Sequence, residues 1–129
     1  MSAPQDPTRT TALDPDQRDR LRRAKLTAVA RDRLGLEGDA IGVGTLAALR
    51  ASDTAVVLVE QGGAGALAGA LVWARRHGAD RLVLLVEEGA AQLARLAGHF
   101  TLGAGPIDVQ ALVGDRIEVA EPEPLASPA

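Results

Sequence analysis

The sequence predicts one α/β domain of three layers: a mostly parallel or mixed sheet of four or five strands, with helices on both faces. Three observations carry this. Residues 54–60 and 81–87 are apolar runs rich in Val and Leu, the pattern of strands covered on both sides. Each is followed by a helix of period 3.6, and strands alternating with helices imply parallel neighbours. The chain has 129 residues, 47% of them hydrophobic, enough for one core.

Residues 1–13 are rich in Pro and Thr and read as a disordered tail. A helix is predicted over 15–34. Asp14 suits its cap, Pro15 suits its first position, and Gly35 offers a left-handed stop. Residues 40–44 are compatible with a short strand. Residues 45–50 are open: Ala, Leu and Arg favour a helical turn, yet a strand turning at Ser52-Asp53 fits equally. After the strand at 54–60 comes the loop Gln61-Gly62-Gly63-Ala64-Gly65, then a helix over 66–77 ended by Gly78. After the strand at 81–87 comes a helix over 90–100, with Leu93, Leu96, Ala97 and Phe100 as its apolar stripe. Residues 103–106 break the chain. Ile107, Val109, Ala111 and Val113 alternate as a strand, Gly114-Asp115 make a two-residue turn, and Ile117 and Val119 continue the pattern. The domain spans 14–120, and 121–129 reads as a second disordered tail.

The formal charge is −3 and cysteine is absent, which removes disulfides, thiolate nucleophiles and cysteine zinc sites. Two histidines, one tryptophan and one phenylalanine leave little material for a histidine metal site or an aromatic stacking platform. No apolar run approaches the ~20 residues of a membrane span, and the first residues lack the pattern of a secretory signal. A cytoplasmic protein without membrane contact is the expectation. The preference for Arg over Lys, with abundant Ala and Gly, points to a GC-rich bacterial genome.

Two features suggest chemistry from the residues alone. Gly63-Ala64-Gly65-Ala66-Leu67-Ala68 fits the dinucleotide pattern G-x-G-x-x-A between a strand and a helix, with Glu87 at the end of the next strand to take a ribose hydroxyl. Gly62, Gly63, Gly65 and Glu87 are therefore the candidate nucleotide site. A plain strand-to-helix loop is the bland alternative, and Glu60 beside it would repel a phosphate. The second feature is the cluster of basic residues from 18 to 33. Arg18, Arg22, Arg23 and Lys25 could meet phosphates, although Asp16, Asp19 and Asp32 are interleaved with them. His77 and His99 sit at helix ends, where a cation suits the dipole.

The strand 54–60, the helix after it and the strand 81–87 resemble the core of restriction-endonuclease-like nucleases, the PD-(D/E)XK fold. The resemblance covers residues 40–90. It implies a strand-end acid, a lysine two positions on, and an upstream aspartate completing a magnesium site. Glu60 matches the acid, but Gly62 stands where the lysine belongs, and no lysine follows Lys25. Asp39 and Asp53 sit in turn-like surroundings. The implied protein keeps the fold and has lost metal-dependent cleavage.

The sequence is therefore read as a non-catalytic binding or accessory module without a cofactor. Its partner is a protein, a second copy of the chain, or nucleic acid. A nucleotide-binding Rossmann-like domain using the 62–65 loop and a degenerate nuclease-like domain holding nucleic acid uncut are the alternatives.

Overall fold

A computed structural model describes residues 14–102, 105–113 and 116–119. The first helix, α1 (Pro15–Val29), starts where the cap residues place it. Asp14 Oδ1 accepts from Gln17 N at 2.8 Å, and Gln17 Oε1 accepts in return from Asp14 N at 3.3 Å. This reciprocal box satisfies two of the helix's free donors. Asp14→Ala is expected to lower stability by about 1 kcal/mol, read by chemical denaturation. The helix ends in a wider turn, Ala30–Leu34, stopped by Gly35 at φ +67°.

The strands are β1 (Ala40–Val43), β2 (Leu46–Ala51), β3 (Thr54–Gln61), β4 (Arg81–Glu88), β7 (Asp108–Val113) and β8 (Arg116–Val119). They form one sheet in the order β1-β2-β3-β4-β7-β8. The central β3-β4-β7 pairs are parallel, and both flanks are antiparallel hairpins. Helix α2 (Ala64–Arg76) joins β3 to β4, and α3 (Ala90–Ala97) follows β4. A two-stranded hairpin, β5 (Thr101–Leu102) with β6 (Gly105–Pro106), lies between α3 and β7. The turn expected at Gly114-Asp115 and both expected tails lie outside the described residues.

Residues 46–51 settle as strand. Leu, Ala and Arg are good helix formers, but all of this segment except Arg50 is buried, and both faces of the strand are covered. Leu46 and Ala48 join one core, Ala47, Leu49 and Ala51 the other. The same alternation runs through β3. Ala55, Val57 and Val59 face α2 and α3, whereas Val56 and Leu58 face α1. Both connecting helices lie on one side of the sheet, as right-handed crossovers require. The sheet is thus the middle layer, with one helix above it and two below.

Candidate functional site

The alternation that buries β3 and β4 also aims their ends. Glu60 follows Leu58 onto the α1 face, and Glu87 follows Leu85 onto the same face. The register pairs Val59 with Val86 and Gln61 with Glu88, so Glu60 and Glu87 are lateral neighbours. Adjacent strands are about 4.8 Å apart, and two carboxylates side by side repel. Helix α1 supplies the compensation. Arg22 Nε donates to Glu60 Oε1 at 2.5 Å, and Lys25 Nζ donates to Glu87 Oε1 at 3.2 Å. The Arg22 side chain is only 11% exposed, while Glu60 keeps 50% of its surface in water.

Arg18, Leu21, Arg22, Lys25, Glu60 and Glu87 enclose a cleft of about 300 Å³ at this end of the sheet. This is the carboxyl end of the parallel strands, where open α/β sheets place their ligands. The cleft unites three of the four predicted phosphate-binding residues with Glu87, which the sequence assigned to a ribose. Arg23 turns the other way, its Nε 2.9 Å from Asp19 Oδ2. Further along, Arg31 pairs with Asp32 at 2.9 Å and holds that carboxyl below its ordinary value, chiefly through the hydrogen bond.

The glycine loop is closed where it would need to be open. Gly62 N donates to Glu88 O at 2.7 Å, so this amide does not face a ligand. A Cβ on Gly62 would lie 2.5 Å from Gly89 O, because the loops after β3 and β4 cross in contact there. Gly63 caps α2 without a side-chain partner, and Gly63 and Gly65 have open space beside them. Gly65 borders a groove of about 650 Å³ between α2 and the β1-β2 hairpin, which Glu60 and Gln61 also line. The Glu60 carboxylate itself turns to the α1 face, where Arg22 holds it.

The residues do not fit a catalytic magnesium ion. Both strand-end carboxylates are already engaged by cations, Gly62 has no room for a side chain, and the described residues contain no cluster of three or more His, Cys, Asp or Glu able to hold a metal. His77 stacks on Trp73 with ring centroids 4.3 Å apart, and its Nδ1 lies 2.9 Å from Trp73 O. No helix among the described residues is long and apolar enough to cross a membrane.

Sequence reasoning missed the meeting of Arg22 with Glu60 and of Lys25 with Glu87, because 38 and 62 residues separate the partners. A signal existed: both glutamates end apolar runs at equivalent positions, so each had to find a cation or water. What fold and site define is a three-layer α/β domain whose sheet end is closed by ion pairs from its own first helix. Comparison with protein-family models, curated proteins and solved structures gave no match.

Proposed function

We propose that this domain is a non-catalytic binding or accessory module. One observation carries the reading: the two carboxylates at the carboxyl end of β3 and β4 are held by Arg22 and Lys25. A general acid or base needs a carboxyl free to exchange a proton with substrate, and a metal site needs free lone pairs. Here both serve as anchors for α1.

The test uses Glu60→Gln and Glu87→Gln, singly and together. Each exposed pair contributes about 0–1 kcal/mol, so the variants should fold, with midpoints lowered by a few degrees and less so in high salt. Wild type and variants are then incubated with single- and double-stranded DNA and RNA, and with nucleoside triphosphates, in the presence of magnesium or manganese. Turnover by the wild type that disappears in either variant would overturn the reading. A protein partner retained equally by all forms in pull-downs supports it.

A degenerate nuclease-like domain is the second reading. It is supported by the position of Glu60, the penultimate residue of central strand β3, with α2 beginning at Ala64. It makes nucleic acid the partner and assigns no cleavage.

A further inference from the structure

The six-stranded sheet has two edges, β1 and β8. An edge strand presents a row of backbone N–H and C=O groups that can pair with another chain. The two edges differ in chemistry. Strand β8 carries exposed Arg116 and Glu118, charges of the kind that keep an edge from pairing. Strand β1 is Ala40-Ile41-Gly42-Val43, without a charge, a proline or a bulge, and its register with β2 is unbroken. Beyond that ladder, no backbone hydrogen bond among the described residues reaches it.

The turn after β1 decides which of its groups face outward. Gly44, at φ +60°, and Thr45 form a two-residue turn, which makes Val43 and Leu46 a hydrogen-bonded pair. Bonded and non-bonded pairs alternate, so Ile41–Ala48 is the next bonded one. The N–H and C=O of Ala40 and Gly42 therefore point away from β2. Ile41 lies opposite Ala48, hence on the α2 face, with 44% of its surface exposed. Gly42 lies opposite Ala47, on the α1 face, where the Asp19 carboxylate fills the space that a Cβ would need. Asp19 is itself paired with Arg23, so it brings no unpaired charge to this edge.

One antiparallel register uses all of these outward groups. With Ile41 set against Ile41 of a copy, across a two-fold axis normal to the sheet, Ala40 pairs with Gly42 of the copy on either side of the axis, each pair exchanging both its N–H···O bonds. The isoleucines then form a non-bonded pair, in which facing Cα atoms are about 4.5 Å apart and side chains are closest. Asp39 falls opposite Val43 of the copy, so the two Asp39 residues stand on the order of 13 Å apart.

We propose that this domain pairs with a second copy of itself through the β1 edge, joining two six-stranded sheets into one. The inference rests on the binding-module reading and names its partner and its surface. The contact is isologous and consumes β1, and the edges left outermost are the charged β8 strands, so assembly stops at the dimer. An edge of four residues buries less than the ~1,200 Å² of a stable interface, so the dimer is weak and forms as concentration rises.

The test is sedimentation velocity of the full chain from about 10 µM to about 1 mM, over which monomer should pass into dimer. Ala40→Pro removes an outward N–H and leaves the ladder to β2 intact, and Ile41→Lys sets two ammonium groups against each other. Each should weaken dimerisation about 10-fold or more while circular dichroism shows the fold kept. Val72→Lys replaces a residue of α2 with similar exposure, 49%, and should leave the dimer within about twofold. The chain has no cysteine, so Ile41→Cys reports the register. Thiols facing each other at the axis are within disulfide reach, and under copper-phenanthroline they should crosslink at least about 10-fold faster than those of Val72→Cys.

A monomer at every concentration overturns the proposal. So does a dimer indifferent to Ala40→Pro and Ile41→Lys, one weakened equally by Val72→Lys, or equal crosslinking from both cysteine positions. These outcomes leave the module reading standing, since that reading falls only on turnover that Glu60→Gln or Glu87→Gln abolishes.

Discussion

Leu26→Ala is expected to lower stability by about 3 kcal/mol and the thermal midpoint by roughly 12 °C. Leu26 is fully buried, and with Val29 it supplies the buried contacts of α1 against the sheet, continued by Ala30 just after the helix. The first two turns of the helix are mostly exposed, so little else holds it there. Removing the isobutyl group leaves a cavity beneath the helix, surrounded by β-strands that cannot close around it. The loss should be uneven. Hydrogen exchange of amides in α1 should accelerate far more than exchange in β3 and β4, which are central strands paired on both sides. Glu60 and Glu87 then lose the cations that separate their charges, so the variant should be more salt-sensitive than the parent. Equal acceleration in α1 and β4 would mean that the helix and sheet unfold as one unit, contrary to this account.

Gly62→Ala is expected to cost about 2–3 kcal/mol, read by urea denaturation with an unchanged m-value. The added methyl would meet Gly89 O at 2.5 Å and both Gly89 C and Leu93 Cβ at 3.1 Å. Two of these atoms are backbone, so no rotamer change relieves the contact. Gly89 has φ +77° and caps α3, so a shift there disturbs the start of that helix as well. Gly65→Ala is the control. Gly65 lies in the first turn of α2 with nothing within 4 Å of an added Cβ, and alanine favours helix by about 1 kcal/mol over glycine. That variant should be unchanged or more stable. If the two substitutions behaved alike, the crossing of the loops would not be the reason for Gly62.

The elements legible in the sequence were those whose periodicity ran longest. Strands β3 and β4 and all three helices fall within a few residues of the expected bounds, and the Asp14 cap and Gly35 stop lie where their chemistry put them. Residues 46–51 were not legible, because their propensity favours helix and only tertiary burial makes them a strand. The small β5–β6 hairpin lies where glycine and proline suggested only a break. Of the candidate site, each residue was visible and the pairing was not. Arg22, Lys25 and Glu87 were assigned to two different ligands, yet they meet one another. Composition located the charges, but only the sheet register, which sets Glu60 beside Glu87, determines where they are spent.

The face that receives α1 is assembled from Ala47, Leu49, Val56, Leu58, Val83, Leu85 and Leu112. All of these follow the helix in the chain, and the last belongs to β7. Synthesis at 5–20 residues per second leaves α1 waiting on the order of 10 s before that face can be complete. An isolated helix of 15 residues is marginal in water, and this one is rich in charge rather than in apolar surface. The reciprocal cap at Asp14 and the Asp19–Arg23 pair, both local, are available from the start. The pairs to Glu60 and Glu87 close only after β3 and β4 lie side by side. During synthesis, then, α1 emerges first with only its local contacts to hold it, and its seat on the sheet is complete only once β7 has been made.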